Sequence, residues 1–216
     1  LMSLLGVLKF IELITAVIGS VYYKKYAHTF LKYFLWLLWL VVGVEFSMWF
    51  LKHYEIRSQN NFIYNVLTSV MYLYYLTLYY KEIKTKRYRK WVLAFIITFS
   101  AAITINFIFI QKLMTTSLFH SYTFALGGIL LIAAIGLFLL ETLNSEKVLY
   151  YKKYLLFWVS IGLVLYYASI IPYAISLNFL PEFRFSETWI AIIFTINLVM
   201  YTCFSIGFVV SKKMEI

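Results

Sequence analysis

Apolar residues run through this chain in seven long segments, about 2–23, 29–51, 61–80, 91–110, 120–140, 154–177 and 189–210. Each is close to the ~20 residues that a helix needs to cross a ~30 Å hydrocarbon core. The polar connections between them are short, and no Gly/Ser-rich or Pro-rich linker divides the chain. The pattern predicts an all-α protein: a polytopic bundle of seven transmembrane helices forming a single membrane domain over residues 1–216.

Charge orients that bundle. The one dense ionic block is the loop Lys81–Lys90, which holds Lys81, Lys84, Lys86, Arg87, Arg89 and Lys90. Cytoplasmic connections collect Lys and Arg, so this loop is expected inside. The connections on its side, with the C-terminal tail, hold fourteen basic residues, whereas the opposite connections hold only Lys52, Arg57, Lys112 and Arg184. An odd number of crossings then puts the N-terminus outside and the C-terminus in the cytoplasm. Trp and Tyr fall at the expected membrane boundaries, Tyr22, Tyr23, Tyr79, Tyr80, Trp91 and Tyr150 on the inner side and Trp49, Tyr54 and Trp189 on the outer.

Composition narrows the class. With 63% hydrophobic residues and a mean hydropathy of +0.84, the chain cannot be a water-soluble globular domain without large exposed apolar patches. The net charge of +10 sits in the connections, which favours topology and anionic lipid headgroups over nucleic acid as its role. A single cysteine, Cys203, no aspartate, and three scattered histidines, His28, His53 and His120, argue against a disulfide framework, a metal centre or a bound cofactor. The first apolar run has no basic leader or small-residue cleavage site, so it is expected to be a retained helix.

Candidate chemistry lies with the polar residues inside the apolar runs, because ionisable groups there are costly and each is a functional hypothesis. Lys9, Glu12 and Glu45 fall ~9–14 Å below the outer boundary, by ~1.5 Å of rise per residue. They can form an ion pair or a Glu–Lys–Glu cluster, which either pins the first helix to the second or binds a ligand or coupling ion. Asn65, Ser69, Thr104, Asn106, Ser169, Tyr173 and Asn197 share that depth and suggest an outward polar cavity. Taken singly, each is more often a helix-to-helix hydrogen bond than a ligand contact. Pro172 is expected to kink the sixth helix near the same layer and serve as a hinge or gate. No nucleophile elbow, phosphate-binding Gly loop or retinal-type lysine in the seventh helix is present.

The stretch Phe157-Trp158-Val159-Ser160-Ile161-Gly162, followed by Tyr166-Tyr167, resembles segments of small heptahelical inner-membrane proteins of bacteria. That resemblance implies an inner-membrane location and the seven-helix topology, and it brings no substrate. Two functional readings remain open. One is a non-enzymatic sensor or accessory protein with an outward polar cavity and a basic inner face for anionic lipid and a cytoplasmic protein partner. The other is a small-solute or ion transporter or channel that uses Glu12 and Glu45. A homo-oligomer is compatible with either. A polar path past Ser160, Thr202 and Ser205 would favour transport, and a sealed inner half the sensor.

Overall fold

The computed structural model describes residues 2–54, 60–112, 119–179 and 187–212, and these contain helices and no strand. Arg57, Arg184 and Lys213, counted in the charge asymmetry, lie outside them. The seven α-helices are α1 (Met2–Val21), α2 (Lys32–His53), α3 (Asn60–Glu82), α4 (Lys86–Ile105), α5 (Ser121–Leu143), α6 (Leu155–Phe179) and α7 (Glu187–Val210). Five of them, α2, α4, α5, α6 and α7, are long and apolar enough to cross a membrane, as an integral membrane protein requires. Helix is what such a sequence must form in lipid, where every backbone N–H and C=O needs a partner within its own segment.

The basic block departs most from expectation. Only Ile83, Lys84 and Thr85 are non-helical, and Lys86, Arg87, Arg89 and Lys90 lie on the first turns of α4. Cations are disfavoured at the positive end of a helix dipole. The Glu141 carboxylate supplies the compensation: one oxygen accepts from the Lys84 backbone N–H and the other from that of Thr85, both at 2.9 Å. Two orphan donors are thereby satisfied by an anion. Arg89 folds back over the Tyr80 ring at 4.4 Å, a cation–π contact that fixes its direction.

By its contacts the chain divides into two compact units. The first comprises Leu1–Arg57, Thr142–Tyr166 and Phe185–Ile216, and therefore holds α1, α2, the first half of α6, and α7. Here α1 runs parallel to α7, since Thr15 meets Ser205 and Gly19 meets Phe208, and antiparallel to α2, since Phe10 meets Phe46 and Gly19 meets Leu35. Close approach of α6 to α7 depends on Gly207, where a Cβ would come within 2.8 Å of that of Trp158.

The second unit, Ser58–Glu141 and Tyr167–Arg184, holds α3, α4, α5 and the second half of α6. Tyr72, Tyr75 and Tyr79 of α3 are almost fully buried and form its core. Tyr72 donates to the Phe124 carbonyl at 2.9 Å and lies against Phe99 and Tyr167. Gly127 makes room for it, because a Cβ there would stand 2.6 Å from the Tyr72 ring. These three tyrosines are thus packing residues.

Candidate functional site

Each unit contains its own polar cluster. In the first, Glu12 projects from the middle of α1 and is only 8% exposed. The Tyr201 hydroxyl of α7 donates to its carboxylate, and Glu45 of α2 and Lys9 of α1 lie close enough to act on it through their charge. Tyr166 of α6 feels both carboxylates. Glu12 Oε2 has no hydrogen-bond partner among the described residues. Four helices therefore deliver two acids, two phenols and one ammonium to one layer, an arrangement able to hold a cation or exchange a proton.

One turn further along α1, the Thr15 hydroxyl donates to the Ile11 carbonyl at 2.9 Å and meets Ser205 of α7 at 3.2 Å. Beyond that pair lies a block of buried phenylalanines. Phe34, Phe204 and Phe208 are at most 1% exposed, with ring centroids 5.1 Å apart for Phe34–Phe204 and 5.8 Å for Phe34–Phe208. Tyr26 closes the set at 5.4 Å from Phe208 and donates to the Gly19 carbonyl at 2.6 Å. Lys25, in the connection after α1, donates to the Phe208 and Val209 carbonyls at 3.2 and 2.7 Å, the favourable place for a cation at the end of α7. Burial lowers its ammonium below the usual lysine range, and burial followed by the neighbouring Tyr23 pushes the Tyr26 phenol up. Ser160 and Thr202, the other groups along a hypothetical path, bond the Leu156 and Leu198 carbonyls of their own helices.

The second cluster forms where α3, the end of α4 and the start of α5 meet. Past Ile105, α4 widens into a π-helical turn, Asn106–Ile110, in which the Asn106 carbonyl accepts from the N–H groups of both Gln111 and Lys112. Such turns are uncommon and concentrate at functional sites. This one ends at Lys112, whose φ of 38° lies in the left-handed region that side chains other than glycine rarely adopt. The widened turn carries Gln111 back over Asn106, whose Nδ2 donates to Gln111 Oε1 at 3.0 Å and also to Thr123 Oγ1 of α5. Asn65 of α3 uses Oδ1 to accept from the His120 backbone N–H at 2.9 Å, completing the first turn of α5.

Asn65, Thr68, Ser69, Phe119, His120, Thr123 and Phe124 line a small cleft with room for about one water molecule. His120 is 2% exposed and Asn106 3%. Asn106 Oδ1 has no hydrogen-bond partner among the described residues. Neither ring nitrogen of His120 completes a hydrogen bond there, although the Gln111 backbone carbonyl is near enough to favour the charged ring.

The structure thus gathers Lys9, Glu12 and Glu45 in one cluster and Asn65, Ser69 and Asn106 in the other. Asn197 donates to the Ile193 carbonyl of its own helix, Thr104 does the same to Ser100, and Ser169 is exposed. Tyr173 is half-buried, and α6 continues helically past the exposed Pro172 to Phe179. Among the members that went unforeseen are Tyr166, Tyr201, His120 and Thr123. Spacing carried a signal for most of them. Glu12 and Thr15 are three apart on α1 and Tyr201 and Ser205 four apart on α7, so two polar pairs face each other at helical spacing; His120 and Thr123 repeat the three-residue step. Compared with protein-family models, with curated proteins and with solved structures, the chain matches none.

Proposed function

We propose that this protein is a non-enzymatic heptahelical sensor or accessory protein of a bacterial inner membrane, with its N-terminus outside and its C-terminus in the cytoplasm. In this reading α1 and α3 join the five apolar helices as membrane spans. Their parallel partners, α7 for α1 and α5 for α3, are what alternate crossing demands. The Glu12–Glu45 layer then faces outward. Lys81, Lys84, Lys86, Arg87, Arg89 and Lys90 face inward, toward anionic lipid headgroups and a protein partner.

The observation that carries the reading is the aromatic seal of Phe34, Phe204 and Phe208 beneath the acidic layer. Transport requires polar access from both sides, whereas a sensor needs it from one. The Thr15–Ser205 pair favours the alternative, a small-solute or ion transporter coupled through Glu12 and Glu45, because it extends the polar column one step inward. That column stops at the phenylalanines, and the sensor reading is preferred for this reason. Proteoliposomes test the choice directly. Protons, sodium and potassium should show no flux above protein-free vesicles, with native protein or with Glu45→Gln. Flux that depends on Glu45 would sink the sensor reading and establish the transporter.

A further inference from the structure

We propose that the end of α7 carries a binding site for one acidic phospholipid, with Lys24, Lys153 and Lys212 holding its phosphate and the apolar residues beside them receiving its chains. Hydrogen bonds assemble the site from three stretches of chain that are far apart in sequence. Lys25 Nζ donates to the Phe208 and Val209 carbonyls, which brings the connection after α1, and Lys24 with it, to the last turn of α7. Just beyond that turn the Lys212 N–H donates to the Lys153 carbonyl at 3.2 Å, which brings the connection between α5 and α6 to the same place. Both contacts lie within the first unit. Lys24, Lys153 and Lys212 are exposed, and none of the three is paired with an acid among the described residues.

Charge alone would suit any anion, and two further features select a lipid. Val21 at the end of α1, Leu149 in the connection before α6 and Val210 at the end of α7 are exposed beside these lysines. Ammoniums next to bare apolar side chains match an amphiphile, whose phosphate meets the first and whose chains cover the second. The second feature is an aromatic layer at the same level. Lys153 Nζ lies 4.9 Å over the Tyr150 ring and Lys25 Nζ 4.2 Å over that of Tyr22, cation–π contacts at the depth where headgroups lie. Lys25 is a positioning residue: its ammonium is taken up by the two carbonyls and the ring, and it offsets the negative end of the α7 dipole, which would otherwise repel an anion. The site is separate from the Lys81–Lys90 block, which belongs to the second unit. That it faces the cytoplasm rests on the sensor reading above; the lysines and apolar residues come together whichever way the chain is inserted.

Native mass spectrometry of the full chain in detergent, titrated with phosphatidylglycerol or with the zwitterionic phosphatidylcholine, tests the site. One phosphatidylglycerol should bind well ahead of any phosphatidylcholine. Lys24→Gln, Lys153→Gln and Lys212→Gln should each weaken that lipid about fivefold, the worth of one lysine near a membrane surface, and the triple variant on the order of a hundredfold. The triple substitution to Arg keeps the charge and should retain the lipid, which separates a lost site from a lost fold. Inorganic phosphate at the same concentration should not displace the lipid, because it has no chains to bury. The proposal is overturned if the two lipids bind alike, if the Gln variants bind as the native chain does, if the folded Arg variant loses the lipid, or if phosphate displaces it. Removing three charges at Lys86, Arg87 and Lys90 supplies the remaining comparison: a loss of the first lipid equal to that of the triple Gln variant would mean diffuse attraction, and would overturn the site as well. Lipid retention is read without flux, so the site can fail while the sensor reading survives, and the reverse.

Discussion

The two units solve the same problem, polar side chains inside an apolar helix bundle, with opposite chemistry. In the first the polar groups are ionisable, two acids and an ammonium with two phenols, and the Thr15–Ser205 pair separates them from a block of three buried phenylalanines. In the second they are neutral amides, hydroxyls and one imidazole, gathered around helix ends. Ionisable groups in low dielectric are costly even with countercharge and hydrogen bonds, so that unit must draw its stability from elsewhere, and its buried aromatic rings supply it. Neutral groups need only hydrogen bonds, and helix ends already supply unpaired backbone donors and acceptors for them. The first cluster should therefore be stabilised chiefly by packing, and the second by individual hydrogen bonds.

The sharpest way to break that contrast is Phe208→Ala. The ring is fully buried and touches Phe34, Tyr26 and the Gly19 position. Its loss should destabilise the protein by about 3 kcal/mol, as a cavity of that size costs in other packed cores. Reversible unfolding in mixed micelles measures it. If the cost fell to that of a single hydrogen bond, the first unit would not be packing-dominated.

Asn65→Ala comes next. It removes the acceptor from the His120 N–H, and with it one of the few partners available to the first turn of α5, for an expected loss of about 1–2 kcal/mol. Hydrogen exchange should speed up at the start of α5 and leave α1 and α7 unchanged. Equal acceleration in both units would show that they do not hold their polar clusters independently. Glu141→Ala should cost about 1 kcal/mol, because two exposed N–H donors of the Lys84–Thr85 link fall back on water. Faster exchange confined to the first turn of α4 is the expected signature, and Glu141→Gln should recover part of it.

The same contrast governs what could be read from the chain. Helix existence and type were legible throughout, since runs of ~20 apolar residues leave little choice. So was the Lys9, Glu12 and Glu45 cluster, because an ion in an apolar run stands out by itself. Asn197 and Thr104 looked equivalent to Asn65 and Asn106 in sequence. Whether an amide or hydroxyl turns to its own helix or to a neighbour depends on rotation about the helix axis, which composition does not encode. His120 was hidden for a related reason: its backbone is what Asn65 binds, and the widened turn that returns Gln111 to Asn106 has no sequence marker. The basic block was legible as a boundary but not as the beginning of a helix, because the anion that offsets its unfavourable charge, Glu141, is 51 residues beyond Lys90.

The smallest effect tests where the ionic cluster ends. Thr15 and Ser205 meet at 3.2 Å, one turn along from the Glu12–Tyr201 bond, and Thr15 is 1% exposed. In the seven-span reading proposed above, the bond joins two membrane helices, and such bonds are worth only about 0.6 kcal/mol on average, since each partner finds substitutes in the separated state. Thr15 already has one, because its hydroxyl donates to the Ile11 carbonyl at 2.9 Å; Ser205 is then the donor in the bond between α1 and α7. A double-mutant cycle with Thr15→Val and Ser205→Ala isolates that bond from the volume each substitution changes. A coupling near 0.6 kcal/mol marks an ordinary neutral contact, with the ionic layer confined to the residues around Glu12. A coupling several times larger, vanishing when Glu12→Gln is added, would show that the pair belongs to the carboxylate network and that the polar column, not the aromatic packing, holds α1 to α7.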